Sequence, residues 1–438
     1  GEPLYLDVVT ALAGTKFGSV PVIGGRYGLG SKDVGTGCLI SAYLNLMSDK
    51  PQAPFTLGIN DDVTHLSLPI TDNTDCQAKG NTACKFWGLG SDGTVGANKN
   101  SIKIIGHATD LYCQAYFVYD SKKSGGLTQS HLRFGKSPIR APYLVTAADF
   151  VACHTPSYVH KYDMVKDLKD GGTFLLNCPW DLEGLEKNLP ASMKRALAEK
   201  HAKLYTIDAI SIARKLGLGS RTNTILQAAF FKLSAVIPID QAVTEMKDAI
   251  YKTYFKKKGQ AAVDMNNASI EYGINELVSV DIPESWLTAE DTPVQQEKPA
   301  FIRDVVDVMN RQEGNSLPVS TMVKYGLADG TWPAGTSKFE KRGTAVDVPA
   351  WDAAKCLQCN QCSLVCPHAA IRPILLDEGE EAAKPAGFAT VPAKGMNGKY
   401  TYRLQVSPYD CTGADLYILA VSDAAITTLA ESLPIPAE

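Results

Sequence analysis

Four cysteines near the carboxyl end form the densest group of potential metal ligands in the sequence. Cys356, Cys359, Cys362 and Cys366 are followed by Pro367 in a C-x2-C-x2-C-x3-C-P pattern. Two-residue spacings let one tight loop direct three thiolates at one face of a cubane cluster, and this run is typical of 4Fe-4S sites. A zinc knuckle is the alternative, but it normally uses two separated pairs or histidine ligands. The pattern therefore predicts iron-sulfur chemistry.

A second cysteine run should follow, because in two-cluster proteins the fourth cysteine of each run binds the other cluster. Cys411 begins a candidate run, but Ala414, Tyr417 and Val421 stand where the template has cysteines. The second cluster should therefore be absent. For the first cluster three alternatives stay open. It could be a 3Fe-4S cluster, a 4Fe-4S cluster completed by Cys366, Cys411 or a non-cysteine ligand, or it could be lost, so one cluster at most is expected.

A glycine loop is the second candidate site. Residues 88–96 read GLGSDGTVG, which contains G-x-G-x-x-G, and a plausible helix follows in NSIKIIG. Such glycines let backbone amides approach phosphate oxygens at a helix N-terminus, although the same residues serve any tight strand-to-helix turn. Lys122 and Lys123, in the segment YDSKKSGG, add positive charge downstream. Together the two segments favour an anion site.

Strands and helices that could position these residues alternate between about residues 100 and 225, which predicts a doubly wound α/β layer. The predicted strands are AYFVYD, PYLVT, DFVACH, GGTFLLNC and KLYTIDA, and the predicted helices are VHKYDMVKDLK, LPASMKRALAEKH and SIARKLGL. Three helical segments within residues 224–280, the second ended by Gly259, predict a cap on this domain. The expected fold class is α/β, a doubly wound domain with a helical C-terminal cap, followed by an extended linker and a small α+β ferredoxin-like domain.

Composition limits the classes of function. A chain of 438 residues with 45% apolar and 21% charged residues has room for two or three domains. Its formal charge of −4 argues against nucleic acid and anionic membranes as partners. No apolar stretch is long enough for a membrane span, and the first residues lack the pattern of a signal peptide, so we expect a soluble protein. Eleven unevenly spaced cysteines argue against a disulfide framework and for reducing conditions. Because the chain starts with Gly1 rather than Met, we expect a piece of something longer.

The motifs closely resemble those of pyruvate:ferredoxin (flavodoxin) oxidoreductases. The resemblance runs from the first residue to about residue 410 and rests on GGRYGLGSKD, WGLGSDGTVGANK, YDSKKSGG, SHLRFG and CLQCNQCSLVCPHAAI. It covers the middle portion of the family architecture. It implies an enzyme that converts pyruvate and coenzyme A to acetyl-CoA and carbon dioxide with thiamine diphosphate, and that passes electrons through three 4Fe-4S clusters to ferredoxin.

The resemblance also implies domains and site residues. Residues 1–22 would be the tail of a preceding domain, 23–287 the α/β coenzyme A-binding domain (2-oxoacid oxidoreductase gamma-type), 288–348 a linker, and 349–438 a ferredoxin-like iron-sulfur domain with a degenerate second half. Positions that match the family's coenzyme A contacts are Ser91, Asp92, Gly93, Thr94, Val95, Lys123, Asn223 and Asn266. Metal ligands are expected among Cys356, Cys359, Cys362, Cys366 and Cys411. No catalytic residue is assigned to this chain.

Thiamine diphosphate would belong to domains that the chain lacks, because no GDG sequence followed by a metal-binding asparagine is present. The implied partners are the thiamine-binding domains or subunits, ferredoxin or flavodoxin, and a homodimer or larger complex. The implied location is the cytoplasm, with a hydrogenosome or mitochondrion-like organelle as the alternative. We expect the chain to contribute coenzyme A binding and electron relay, and to be inactive alone. The alternative is a degenerate non-catalytic relative that acts as a structural or assembly subunit.

Overall fold

The computed structural model describes residues 2–121, 125–291, 298–345 and 347–413. The chain divides into two units, Gly1–Phe339 and Glu340–Glu438. A small apolar cluster near the start of the first unit includes Cys38, Phe55, Leu57 and Leu68. The elements of this region are α1 (Pro3–Leu12), β1 (Gly25–Arg26), α2 (Thr36–Leu46) and β2 (Phe55–Thr56).

A seven-stranded mixed sheet carries the main core of the first unit. Its strands lie in the spatial order β4-β5-β3-β6-β7-β8-β9. The four from β3 to β8 in this order are parallel, whereas β5 and β9 run antiparallel to their neighbours and β4 forms a hairpin with β5. The sheet therefore has a parallel centre with antiparallel edges. The strand bounds are β3 (Asn81–Leu89), β4 (Tyr112–Tyr119), β5 (Leu127–Gly135), β6 (Ala148–Cys153), β7 (Leu168–Asn177), β8 (Lys203–Ile207) and β9 (Val278–Val280).

Helices cover both faces of the sheet, because the central strands bury apolar side chains on each side. Phe86 and Phe230 belong to the core on one face, and Trp87, Leu197 and Trp286 belong to the core on the other. This three-layer arrangement agrees with the expected α/β class. The helices are α3 (Thr94–Ala108), α4 (Leu182–Asn188), α5 (Ala191–Glu199), α6 (Ala209–Lys215), α7 (Asn223–Ser234) and α8 (Ile239–Asn275).

The predicted helical cap is confirmed. The helix α7 is buried along most of its length, and α8 packs against it. Gly259 interrupts α8 with φ 75° and ψ −176°, a conformation that only glycine adopts readily. The prediction that Gly259 ends the second helical segment is therefore correct.

Two of the predicted elements are wrong. The segment PYLVT forms no strand, because its backbone bonds to side chains instead of to a neighbouring strand: Leu144 N–H donates to Asp33 and Val145 N–H donates to His131. The segment VHKYDMVKDLK forms no α-helix. It contains the end of a short 3-10 turn and the beginning of β7. The Lys200 ammonium donates hydrogen bonds to the carbonyl oxygens of residues 165, 166 and 168.

The region expected to be an extended linker contains short helices. The helix predicted near residue 301 is confirmed, since Ile302, Val305 and Val306 are buried there. Around it, the ring of Phe301 packs against Tyr325 and Trp332. This aromatic contact does not follow any regular spacing, which explains why the sequence suggested a linker. The turns and helices are Glu284–Thr288, Ile302–Val306, α9 (Asp307–Asn310), Gly314–Ser316, α10 (Val319–Lys324), Leu327–Asp329 and Thr336–Phe339.

The second unit is a small α+β structure. Its three strands form an antiparallel sheet in the order β10-β12-β11. Asp377 and Glu380 form a reciprocal capping box at the start of its second helix. Among the described residues, none of the helices combines the length and the hydropathy that a membrane-spanning helix requires. The elements are α11 (Gln361–Val365), β10 (Ile371–Leu376), α12 (Glu378–Ala383), β11 (Val391–Pro392) and β12 (Thr401–Val406).

Candidate functional site

The glycine loop joins the carboxyl end of β3 to the N-terminus of α3. Ser91 and Gly93 both adopt left-handed conformations, with φ 75° and φ 87°. The first intrahelical bond runs from Ala97 N–H to the Gly93 carbonyl, so the amides of Val95 and Gly96 precede it. Such first-turn amides lack helical acceptors and carry the positive end of the helix dipole. The loop therefore has the backbone geometry of an anion site.

Asp92 braces the loop from inside. Its Oδ1 accepts from Thr94 N–H at 2.7 Å, and its Oδ2 accepts from Leu89 N–H and from the Thr94 hydroxyl, both at 2.8 Å. Burial raises the pKa of the Asp92 carboxyl, while these three hydrogen bonds oppose the shift. The carboxyl oxygens are thus engaged within the loop, and Asp92 shapes the site with its side chain.

Thr94 connects the loop to His154, a residue that sequence reasoning missed. The Thr94 Oγ1 lies 2.7 Å from His154 Nδ1, and the imidazole is buried. Burial lowers the pKa of His154 to about 4, so the ring is neutral near pH 7. Its position at a strand end is the signal that could identify it from the sequence. His154 directly follows β6, which is parallel to β3, so the two strands end at the same sheet edge.

The other predicted coenzyme A contacts are only partly brought together. A β-carbon on Gly93 would lie 3.2 Å from the Asn223 side chain, so the loop meets the first residue of α7. Asn266 is buried in α8, and its amide donates to the Ala262 carbonyl of the same helix at 2.7 Å. Lys123 lies outside the described residues. The structure therefore groups residues 91–95 with Asn223.

Buried polar side chains also lie on the opposite face of the sheet. Lys85 Nζ is 2.6 Å from Asp167 Oδ2, with both side chains largely buried. His131, paired with Lys85 across β3 and β5, accepts the Val145 N–H at its Nδ1. Burial, aided by the charges of Lys85 and Arg133, lowers the pKa of His131 to about 3. This histidine is therefore neutral in the folded chain.

The cysteine segment of the second unit forms a tight loop. Gln358 and Asn360 are left-handed, with φ 60° and φ 59°, and they occupy the two spacers between the first three cysteines. Burial, followed by the charges of Cys356, Cys362 and Cys359, raises the pKa of Tyr402 to about 12. All three thiols therefore act electrostatically on one phenol. The Tyr402 hydroxyl donates to Asn360 Oδ1 at 2.7 Å, which ties the loop to β12.

Cys366 lies in a separate environment of backbone amides. Burial raises the pKa of its thiol, but hydrogen bonds from the amides of residues 368–371 outweigh burial, and the net pKa is lowered. Its Sγ accepts from Ala370 N–H at 3.3 Å. Cys411 is half-buried, and its Sγ accepts from Gly413 N–H at 3.4 Å. Both thiols are therefore engaged by backbone donors.

The thiols suit iron-sulfur chemistry in type and in loop geometry. Across the described ranges, no group of three or more histidine, cysteine or acidic side chains is arranged to hold a metal ion. Ala414, Tyr417 and Val421 lie outside those ranges. The segment thus supplies three neighbouring cysteines, Cys356, Cys359 and Cys362. The residues that the structure describes do not form a complete set of cluster ligands.

Three families match the chain. The family described as pyruvate ferredoxin/flavodoxin oxidoreductase matches residues 83–276, which include the glycine loop and most of the large sheet. A domain of unknown function matches residues 288–345, and a 4Fe-4S binding domain matches residues 348–371. The last match contains the four clustered cysteines.

Curated relatives match over almost the whole chain. Pyruvate-flavodoxin oxidoreductase of Enterobacter agglomerans is 54% identical over 414 residues, or 94% of this chain and 35% of that protein. Pyruvate:ferredoxin oxidoreductase of Moorella thermoacetica is 52% identical over 417 residues, again 94% of this chain and 35% of that protein. A solved pyruvate oxidoreductase subunit of Thermotoga maritima aligns with 19% identity and a TM-score of 0.38, covering 46% of this chain and 100% of that one. The chain spans about a third of the length of these curated relatives.

Proposed function

We propose that the chain contributes coenzyme A binding and electron relay to a pyruvate:ferredoxin or pyruvate-flavodoxin oxidoreductase, because 94% of it is similar to about a third of such enzymes. The enzyme would convert pyruvate and coenzyme A to acetyl-CoA and carbon dioxide. Two electrons would leave through iron-sulfur clusters to ferredoxin or flavodoxin. Thiamine diphosphate, bound on other domains or subunits, would supply the carbanion chemistry.

Residues 23–287 would form the coenzyme A-binding domain, and the glycine loop is the observation that carries this proposal. The left-handed backbone of Ser91 and Gly93 leads the loop into the first turn of α3. The amides there, with the N-terminal end of a 15-residue helix, suit phosphate oxygens. Asn223 adjoins the loop and offers an amide to the polar groups of the nucleotide or pantetheine. Lys123 and Asn266 would add contacts.

Residues 349–438 would form the relay domain, reached through residues 288–348, and residues 1–22 would end a preceding domain. Cys356, Cys359 and Cys362 would ligate one cluster, whose role is to accept and release single electrons. Its fourth ligand would be Cys366, Cys411 or a non-cysteine group. We place the assembled enzyme, as a homodimer or larger complex, in the cytoplasm or in a hydrogenosome or mitochondrion-like organelle.

A structural or assembly subunit is the second candidate function. The observation that favours it is the replacement of three expected cysteines by Ala414, Tyr417 and Val421. A chain that lacks one iron-sulfur cluster cannot transfer electrons through that position. The glycine loop for coenzyme A, in contrast, is intact. This candidate predicts coenzyme A binding without iron.

Coenzyme A binding is tested by calorimetric titration of the full chain. The Asn223→Ala variant should bind more weakly than the wild type, because a polar group beside the loop is lost. The matched control is Asn188→Ala, at the end of α4, where the amide bonds to the Gly184 carbonyl of its own helix. An N223A variant with wild-type affinity, or a wild type that binds no coenzyme A, would refute the proposed site.

Iron and acid-labile sulfide, measured with EPR on anaerobically prepared protein, separate the two candidates. About four irons per chain would support a relay cluster with a substitute ligand, and about three would indicate an open 3Fe-4S cluster. Absence of iron after anaerobic reconstitution would reject the relay and favour the structural subunit.

A further inference from the structure

We propose that His154 is a positioning residue, which holds the glycine loop in its binding conformation through the hydroxyl of Thr94. The proposal deepens the coenzyme A site described above and rests on it for the identity of the ligand. The glycine loop follows β3, whereas His154 follows β6. The contact therefore joins two segments that are 60 residues apart.

The backbone of His154 is fixed on both sides. Its N–H donates to the Trp87 carbonyl at 2.9 Å, which attaches it to β3. Its carbonyl accepts from Asn177 Nδ2 at 2.8 Å, and Asn177 Oδ1 in turn accepts from Ala209 N–H at 3.0 Å. The ring meets Phe86 edge to face, with centroids 6.1 Å apart. A side chain held this firmly provides a rigid reference point for the loop.

The hydrogen bonds around Thr94 determine which imidazole nitrogen of His154 carries the proton. Asp92 accepts three bonds and is hydrogen-bonded as a carboxylate, so the Thr94 hydroxyl gives its one proton to Asp92. The oxygen of Thr94 must then accept from His154, which requires a proton on Nδ1. In the described part of the chain, His154 Nε2 is buried and has no partner. The bond to Thr94 thus selects the Nδ1–H tautomer.

The result is a carboxylate, hydroxyl and imidazole in series, from the loop to the body of the sheet. Without the imidazole donor, the Thr94 oxygen loses a buried partner and its bond to Asp92 is no longer oriented. Ser91, whose left-handed backbone costs conformational energy, would then lose part of its support. The loop amides would be less well aimed at a phosphate.

The tautomer is read directly by 15N NMR of the full chain labelled at histidine, with no ligand added. We expect the His154 signal to show a protonated Nδ1 and an unprotonated Nε2, and to change in the Thr94→Val variant. A proton on Nε2 in the wild type would overturn the proposal. This result does not depend on coenzyme A.

Calorimetric titration with coenzyme A then tests the consequence. His154→Leu should weaken binding about tenfold or more, since a buried acceptor is left unpaired. His154→Asn places an amide near the Nδ1 position and should recover most of the affinity. Equal losses in H154L and H154N would show that the ring only fills space, and would reject the positioning role.

Thr94 provides a second pair that keeps the test decisive if H154L does not fold. Thr94→Val preserves the volume but removes the hydroxyl, whereas Thr94→Ser retains it. T94V should bind coenzyme A more weakly than T94S, and equal affinities would overturn the proposal. If the wild type binds no coenzyme A, the proposed function fails while the NMR result still judges the role of His154.

Discussion

A β-carbon placed on Gly88 would lie 2.6 Å from the Oγ1 of Thr94. The backbone near the end of β3 thus lies directly against the side chain that opens α3. Thr94 fills this space while bonding to Asp92 and to His154. Glycine at position 88 is therefore required by a close approach, and the loop can form only because a side chain is absent there.

Gly88→Ala should destabilise the chain and weaken coenzyme A binding. The added methyl overlaps three atoms of Thr94, and overpacking of this kind costs about 1–3 kcal/mol. The measurements are urea unfolding and calorimetric titration. Gly96→Ala is the matched control, because a β-carbon there meets nothing within 4 Å and lies in the helix α3. This control should gain about 0.5–1 kcal/mol. Equal stabilities of G88A and G96A would contradict the prediction.

Cys359→Ser should remove most of the iron bound after anaerobic reconstitution. Cys359 lies in the loop with Cys356 and Cys362, and a cluster that loses one of three neighbouring thiolates has too few ligands. Iron, sulfide and EPR are the readouts. The control is Cys76→Ser, which replaces an exposed cysteine of the first unit. The same iron content in C359S as in C76S would show that the loop does not hold the cluster.

His131→Asn should make the stability of the chain less sensitive to mild acid. The folded-state pKa of His131, about 3, lies below the usual 6.5, so the unfolded state takes up its proton first. Stability is therefore complete above about pH 6.5 and falls as the pH decreases toward 3. From pH 7 to pH 5 this histidine should account for a loss of roughly 2 kcal/mol.

Asparagine keeps an acceptor for the Val145 N–H but cannot be protonated, so H131N should lack that part of the loss. Urea unfolding at pH 7 and pH 5 measures the difference. The exposed His107→Asn change serves as the control. An identical pH dependence in H131N and H107N would contradict the assignment.

Glu381→Gln should destabilise the second unit at neutral pH and have less effect in acid. Lys384, Thr401 and Thr390 donate to the Glu381 carboxylate and lower its pKa to about 2. A carboxyl with a depressed folded-state pKa stabilises above its unfolded value of about 4.3, and this stabilisation is lost as the pH falls toward 2. Thermal unfolding of the full chain at pH 7 and pH 3 should show a smaller gap between wild type and E381Q in acid. The control is Glu378→Gln in the same helix, and a gap that E378Q reproduces would refute the specific role of Glu381.

Local patterns predicted the elements that depend on nearby residues. The helix after the glycine loop, the break at Gly259 and the short helix near residue 301 all appear in the structure. Each is marked by a sequence signal within a few positions. The glycine loop can be recognised for the same reason. Its left-handed residues and the hydrogen bonds of Asp92 involve residues only a few positions apart.

Long-range contacts decided what the sequence could not reveal. The segment PYLVT has strand composition, but Leu144 and Val145 bond to Asp33 and His131 instead of to another strand. His154 touches Thr94 only because β3 and β6 lie side by side. Nothing in the local sequence marks such a partner, so the sequence alone does not identify this buried histidine as part of the site.

The internal bonding of the loop has a thermodynamic consequence for its ligand. Asp92 closes the turn with groups no more than three positions away, so the loop conformation is organised when the chain folds. A ligand that binds there does not have to order the backbone, and the entropy cost of association is correspondingly smaller. Binding should therefore proceed with little change in the dynamics of residues 90–95, because their backbone is already ordered in the free protein.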